Sequence, residues 1–287
     1  MLIREKIERL AQEVHDARGA VARFLLLEAN ALENMSMQEV AEATFTSKAT
    51  LVRVAKALGF SGWTAFHKAY VFERKETERL FEGVDTNIPF SKQDRTAQMR
   101  SHLAQIYMES VYLTNDLCED AALEKAASIL DESERIVVLG IGANRSLSRI
   151  FIQKMVKLGK RVDLCEPADA RYFVNTLTFR DCAILISYSG MPPQREPMAL
   201  IPLCQARGVP MIALTGRHDN VLRQSADVVL TIFSKEDWFA KIASYSSEVS
   251  ILFLLDLLYS AYFARHYDEH LSYRMENVRA IEQDKTF

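Results

Sequence analysis

The sequence predicts two folds in tandem. The first is an all-α N-terminal unit built around a helix-turn-helix. The second is a C-terminal α/β unit of three layers, α/β/α, with a five-stranded parallel sheet in the order 2-1-3-4-5. Three observations carry this. Residues 36–66 hold two short amphipathic stretches, each preceded by a capping serine and separated by a three-residue break. From residue 133 onward, short apolar runs alternate with helix-length stretches, the pattern of parallel strands covered on both faces. Between these regions, Gly83-Val-Asp-Thr-Asn-Ile-Pro-Phe-Ser91 concentrates Gly, Asp, Asn and Pro, which is linker chemistry. A chain of 287 residues is long enough for two domains. The expected division is a helix-turn-helix domain over 1–82, a linker over 83–91, and an α/β domain with flanking helices over 92–287.

Residues 2–33 read as two supporting helices, one through Leu2, Ile7, Leu10 and Val14 and one through Val21, Phe24 and Leu25. Ser36 followed by Glu39 is a capping-box signature, and Met37, Val40 and Ala41 give the helix it starts one apolar stripe. Thr44, Phe45 and Thr46 form the break, and Ser47 is placed to cap a second helix. In that helix Leu51, Val54, Ala55 and Leu58 share one side, while Lys48, Thr50, Val52, Arg53 and Lys56 face outward and Gly59 suits the stop. A helix with Ser, Lys, Thr and Arg near its start suits a major groove, where N-terminal residues of a recognition helix reach base edges. Between Thr46 and Lys75 stand six Lys or Arg and one acid, Glu73, in a chain whose net charge is −3. Basic charge is therefore concentrated where duplex DNA would lie. A solvated amphipathic hairpin is the plainer alternative, but cap, turn, basic face and spacing all agree on DNA. Ser47, Lys48, Thr50, Arg53 and Lys56 are the candidate contacts, with Lys48 and Lys56 directed to phosphates. Ser61-Gly62 opens a further helix through Trp63, Phe66 and Tyr70 into a charged run over 73–79.

After the linker, a long helix is expected over 92–116 (Met99, Leu103, Ile106, Val111, Leu113) and another over 120–131. Strands are expected at 136–139, 162–164, 183–186, 210–214 and 228–230. Two strand ends carry unusual loops. Gly140-Ile-Gly142-Ala-Asn144-Arg-Ser146 leads into a helix through Ile150, Met155 and Val156, and Ser187-Tyr-Ser189-Gly190-Met-Pro-Pro-Gln194 leads toward a helix entering near Arg195. Small residues let the backbone approach a ligand, helix N-termini favour anions, and serine hydroxyls add donors. In the order 2-1-3-4-5 these loops belong to neighbouring strands at the switch point, so both face one crevice suited to a small phosphorylated ligand. A dinucleotide fingerprint fails because Arg145 stands at its third glycine. A serine nucleophile lacks its elbow and partners. Ser187 and Ser189 as mere helix caps, with Pro192-Pro193 at the helix start, is the alternative that stays open.

Cys118, Cys165, Cys182 and Cys204 are widely spaced, with no metal-ligand pattern among them or the six histidines. They read as small buried residues in a reducing compartment, with neither metal nor cofactor expected. Met1-Leu-Ile-Arg-Glu-Lys lacks the apolar core of a signal peptide. The run from Val249 to Ala264 is broken by Ser250, Asp256 and Ser260 and falls short of the ~20 apolar residues of a span, so it is expected as a core or interface helix. A soluble, cytoplasmic protein without membrane contact follows as the expectation. Ile251-Leu-Phe-Leu-Leu255 with Leu257 and Leu258 is apolar over more than one face, which motivates a subunit interface.

These motifs resemble the RpiR-type transcriptional regulators, an N-terminal helix-turn-helix followed by a sugar isomerase (SIS) domain. The resemblance rests on Ser47, Ala49, Thr50, Arg53, Leu58, Gly59, Phe60 and Gly62 over about residues 1–75. Over about 120–265 it rests on GIGANRS, SYSG and Ala213-Leu-Thr215. It implies ligand-responsive control of sugar or amino-sugar metabolism genes by homodimers or homotetramers, through an operator DNA and a phosphorylated sugar. The sequence departs from the pattern at Phe45 and Thr46 in the turn, at Asn144 in the first loop, and at Pro192 and Gln194 in the second. Glu166-Pro-Ala-Asp169 lacks a nearby His. Gly142, Asn144, Ser146, Ser187, Ser189 and Gly190 are the candidate effector contacts, with Thr215 and Glu166 at the rim and no catalytic residue. A phosphosugar isomerase with an accessory helical domain is the rival, weakened because Gln194 cannot act as a base. A protein-binding sensor that no longer touches DNA is a second rival, against which the basic 46–75 segment speaks.

Overall fold

The basic segment and its capped helices lie in one unit, Met1–Gly83, and the α/β pattern in another, Val84–Phe287. The computed structural model describes residues 16–28, 32, 35–81, 83–237 and 240–282, with residues 3, 6, 7, 10, 11 and 14 nearer the start. Side chains of 27, 73–81 and 280–282 are outside the description. The helix expected through Leu2 lies largely outside the described residues, although Ile7 is buried in the core of the first unit.

In the first unit, α1 (Ala17–Leu27) starts at Asp16, whose carboxylate accepts the Arg18 N–H at 2.7 Å. The next helix, α2 (Met37–Ala43), has the full capping box: Ser36 N–H donates to Glu39 Oε2 at 2.7 Å, and Glu39 N–H to Ser36 Oγ at 3.3 Å. Helix α3 (Lys48–Ala57) buries Leu51, Val54 and Ala55. It stops as Gly59 turns to φ 94° and Phe60 N–H reaches back to Ala55 O at 2.9 Å. Helix α4 (Trp63–Phe81) closes the core with Trp63, Phe66 and Tyr70. Phe66 and Tyr70 stack at 5.6 Å, and the Tyr70 hydroxyl donates to Leu25 O at 3.3 Å. Each fully buried side chain of this size contributes roughly 1.5–3 kcal/mol, so removing Phe66 would open the centre of the unit.

The second unit begins with α5 (Thr96–Leu117) and α6 (Asp120–Glu132). Then follow β1 (Arg135–Gly140), α7 (Ala143–Val156), β2 (Val162–Leu164) and α8 (Ala170–Val174). The chain continues with β3 (Asp181–Ser187), α9 (Ile201–Ala206), β4 (Met211–Gly216), α10 (Val221–Ser225) and β5 (Val228–Ile232). It ends with α11 (Tyr245–Arg265) and α12 (Tyr267–Glu282). All strands are parallel, in the order β2-β1-β3-β4-β5, with Val137 opposite both Asp163 and Ala183. Alternate residues enter opposite layers. Ile136, Val138, Ile184, Ile186, Ile212, Leu214 and Leu230 pack with residues of α6, α7 and α11. Val137, Leu139, Ala183, Leu185, Met211 and Ala213 pack with residues of α8, α9 and α10. This is the expected three-layer fold.

Several expectations are corrected. Residues 92–95 stay outside α5, because Asp94 is taken up by the N–H and hydroxyl of Ser91, and Arg95 N–H is received by Gln98. The buried face of α5 is Ile106, Glu109, Ser110 and Thr114 rather than an apolar stripe through Met99 and Leu113. The hydroxyls of Ser110 and Thr114 donate to Ser246 and Ser250 of α11 at 2.8 and 2.9 Å, so polarity is matched across the pair. Ile150 and Val156 of α7 are exposed, and Ser148, Phe151 and Met155 face inward. No helix enters near Arg195. Pro192, Pro193 and Pro197 deny a helix its donors and disfavour helical geometry before them, so regular structure resumes only at Met198.

The expected linker is not a free tether. Asn87 accepts Asp237 N–H at 2.6 Å through its side chain and Ile242 N–H at 3.0 Å through its carbonyl. Pro89 O lies 2.6 Å from His102 Nδ1. Helix α11, with 21 residues, is after all long and apolar enough to cross a membrane by composition. Ile251, Leu254, Leu255 and Leu258 are buried within its own unit, while Leu252, Phe253 and Leu257 stay half-buried.

Candidate functional site

The first candidate surface is α3. Ser47 Oγ accepts Thr50 N–H at 3.2 Å and lies 3.1 Å from the Thr50 hydroxyl, so these two side chains fix the start of the helix. Lys48, Arg53 and Lys56 are exposed, while Thr50 and Val52 are half-buried. Among the described residues none of the three cations has a carboxylate within ion-pair distance, so their charge is available to an external polyanion. The turn before α3 holds with Phe45 in the left-handed region, at φ 53°. Thr46 N–H returns to Ala41 O at 2.8 Å, and the Thr44 hydroxyl donates to Val40 O at 2.8 Å.

The second candidate site lies where β1 and β3 end side by side, with Gly140 opposite Ile186. Gly142, at φ 55°, is the N-cap of the 14-residue α7 and has open space where a Cβ would stand. Helix N-termini favour anions, and here Arg145 N–H is already bonded to Gly142 O at 3.1 Å. Asn144 does not point its amide at that open space, because Nδ2 donates to Ile186 O at 3.1 Å and ties the first loop to the end of β3. Ser146 is exposed on the first turn of α7. Arg145 is committed to the end of β2, with its guanidinium on Cys165 O and on Glu166. Glu166 is thus a partner of Arg145 before it is a contact for any ligand, and it keeps a largely exposed carboxylate.

In the second loop Ser187 Oγ accepts Gly190 N–H at 3.2 Å, and the Ser189 hydroxyl donates to Met191 O at 3.0 Å. The two hydroxyls lie 3.4 Å apart and hold the loop as well as offering themselves to a ligand. Gly190, at φ 56°, is required: a Cβ there would stand 2.0 Å from Asn220 Oδ1. Thr215 does not reach the rim. It is fully buried beneath the loop, its hydroxyl directed to Tyr188 O and Asn220 Oδ1, both at 3.4 Å.

Two neighbours were not anticipated. His218 Nε2 lies 2.9 Å from Ser189 O, with its ring edge-on to Tyr188. Glu196 lines a cleft with Gly140, Cys165, Pro167, Pro197 and Leu200. Gln194 is exposed, and the Glu196 carboxylate two residues further on stands at this separate cleft, which none of the candidate effector residues lines. No spacing rule points to Glu196, because the proline-rich run that carries it has no period. The cleft holds about 10 Å³, room for roughly one water. Burial first, and then the nearby Glu196, pushes the Cys165 thiol up to about 11, leaving it neutral. Burial likewise raises Cys118 and Cys204 to about 11 and Cys182 to about 12, and all four thiols are free. Among the described residues no group of three His, Cys, Asp or Glu could hold a metal.

Comparison with known proteins matches residues 1–71 to the helix-turn-helix domain of the rpiR family, and residues 129–261 to the SIS domain. Over 261 residues the chain is 25% identical to an uncharacterized HTH-type transcriptional regulator of Haemophilus influenzae, covering 89% of this chain and 88% of that one. The Vibrio vulnificus NanR protein, solved with ManNAc-6P, superposes with a TM-score of 0.60 at 20% identity over 100% of both chains. The sugar isomerase domain of an RpiR transcription factor from Sphaerobacter thermophilus superposes with a TM-score of 0.56 at 20% identity, covering 63% of this chain and 99% of that one. At these identities the superpositions establish likeness of fold.

Proposed function

The chain belongs to the RpiR family of helix-turn-helix transcriptional regulators with a SIS domain, and on that premise we propose that it binds operator DNA through α3 under the control of a phosphorylated sugar. It is a regulator rather than an enzyme, as its helix-turn-helix domain and the naming of its relatives as HTH-type transcriptional regulators indicate. Ser47, Lys48, Thr50, Arg53 and Lys56 are assigned to DNA, Lys48 and Lys56 to its phosphates. The effector site is assigned to Gly142, Asn144 and Ser146 at the start of α7 with Ser187, Ser189 and Gly190. In it Asn144 acts by joining the two loops, and Thr215 supports the second loop from beneath.

One observation carries the effector reading. The N-terminus of α7 and the serine loop after β3 meet at adjacent strand ends, where N–H and O–H groups lie together and Arg145 is paired with Glu166. Charge-assisted bonds to such donors hold a phosphate dianion. Because NanR carries ManNAc-6P, amino-sugar 6-phosphates come first in the panel. Dimers or tetramers would place two α3 helices on half-sites one helical turn, or a multiple, apart. Support for self-association comes from half-buried Leu252, Phe253 and Leu257 on α11, with exposed Tyr107 and Met108 on α5 and Ile150 and Val156 on α7. The four free thiols suit a cytoplasmic setting. A thermal-shift screen tests the effector: a phosphosugar that fits raises the unfolding midpoint and its dephosphorylated form does not. A panel in which no phosphosugar shifts the midpoint, or in which free sugars shift it equally, removes the reading.

A further inference from the structure

The turn between α2 and α3 is built on a residue that strains the backbone and exposes an aromatic ring. Phe45 sits at φ 53°, where an L side chain crowds the backbone and glycine is the usual occupant. Its ring is 96% exposed, more than any other large apolar side chain among the described residues. The turn is fully bonded without that ring. Phe45 N–H donates to Glu42 O at 3.1 Å, Thr46 N–H to Ala41 O at 2.8 Å, and the Thr44 and Thr46 hydroxyls lie 2.9 Å apart. Glycine would make the same backbone bonds with less strain. A strained position whose side chain does nothing for the fold points to use outside it.

Its location selects the partner. Phe45 lies two residues before Ser47, the N-cap of α3, at the end of the helix that a major groove receives. Lys48, Arg53 and Lys56 are exposed on the same helix. A duplex answers both features, with phosphates for the cations and thymine methyl or deoxyribose surface for the ring. We propose that Phe45 is a DNA-contacting residue, packing its ring on the apolar surface at the groove edge beside the start of α3. This rests on the assignment of α3 as the DNA-reading helix.

The test uses the full-length protein and a duplex selected by the wild type from a randomised library. Phe45→Gly and Phe45→Asn both accept left-handed geometry. Stability is followed by Trp63 fluorescence in a Trp238→Phe background, Trp63 being buried in the first unit. The unfolding midpoint of Phe45→Gly stays level or rises by a few degrees as the strain is relieved. Its affinity falls by roughly fivefold to twentyfold, the lower part of the range of a good base contact. The slope of log affinity against log salt stays at the wild-type value, because no phosphate contact is lost. Replacing thymine by uracil in the half-site separates the two apolar sources: only a methyl contact makes the wild type, but not Phe45→Gly, sensitive to the exchange. Wild-type affinity in Phe45→Gly beside weakened binding in Arg53→Ala overturns the proposal while sparing the DNA reading. A joint fall in affinity and stability overturns it too, by making the ring a structural part of the turn. Unchanged affinity in Arg53→Ala removes the assignment of α3, and the proposal with it.

Discussion

Replacing Gly190 by alanine tests the geometry of the serine loop more severely than removing any hydroxyl. The new Cβ would stand 2.0 Å from Asn220 Oδ1 and 2.4 Å from its Cγ, at a φ of 56°. Asn220 has little freedom to retreat. It is 3% exposed, caps α10 by accepting Arg223 N–H at 2.9 Å, and donates to His218 O at 2.8 Å. The left-handed backbone costs about 1–2 kcal/mol with a Cβ present, a displaced cap costs about 1 kcal/mol, and a lost buried hydrogen bond costs about 0.5–1.5 kcal/mol. Together Gly190→Ala loses about 2.5–4.5 kcal/mol, which lowers the midpoint of a unit this size by roughly 5–15 °C. Asn220→Ala removes the obstacle but not the backbone strain, so the double variant is less destabilised than the sum of the singles by about 1 kcal/mol. Calorimetric unfolding of the four proteins measures both numbers. A Gly190→Ala midpoint within about 2 °C of wild type, or strict additivity with Asn220→Ala, would refute the packing of this loop on Asn220.

Arg53→Ala weakens operator binding by about 1–3 kcal/mol through a lost base contact, whereas Lys56→Ala lowers the salt slope by about one with little change in sequence preference; a filter-binding or anisotropy series over salt separates them. The purified protein is expected to show no aldose–ketose turnover on hexose or hexosamine 6-phosphates, and turnover lost in Glu196→Gln would instead make the cleft carboxylate a base. Hydrogen bonds from the Ser36 backbone and side chain hold Glu39 below the usual glutamate value of 4.5. The capping box therefore stabilises the first unit above that value and loses its effect as pH falls through the lowered one. Acid titration of unfolding, with Glu39→Gln abolishing that component, checks the sign.

The sheet order was legible because parallel strands buried on both faces read as uninterrupted apolar runs, and the capped pair α2–α3 because both caps are local. What escaped the sequence is set by contacts distant along the chain. The polar face of α5 makes sense only beside Ser246 and Ser250, more than a hundred residues away. The docking of Asn87 on Asp237, the burial of Thr215 under Tyr188, and the use of Asn144 as a tie to Ile186 are likewise tertiary facts. Gly190 was readable as a glycine in a strand-end loop, yet its necessity comes from Asn220. Glu196 was hidden because the proline-rich run that carries it has no period.

The central claim is that a phosphosugar in the crevice after β1 and β3 changes DNA binding. The direct measurement is operator affinity of the full-length protein at increasing concentrations of the phosphosugar selected by thermal shift, for wild type and Ser189→Ala. The expected result is that affinity changes at least several-fold with the phosphate ester and not with the free sugar. In Ser189→Ala, which loses a donor of the second loop, the same change requires a higher concentration. Operator affinity independent of the phosphosugar, or a response identical in Ser189→Ala and equally evoked by the free sugar, would contradict it.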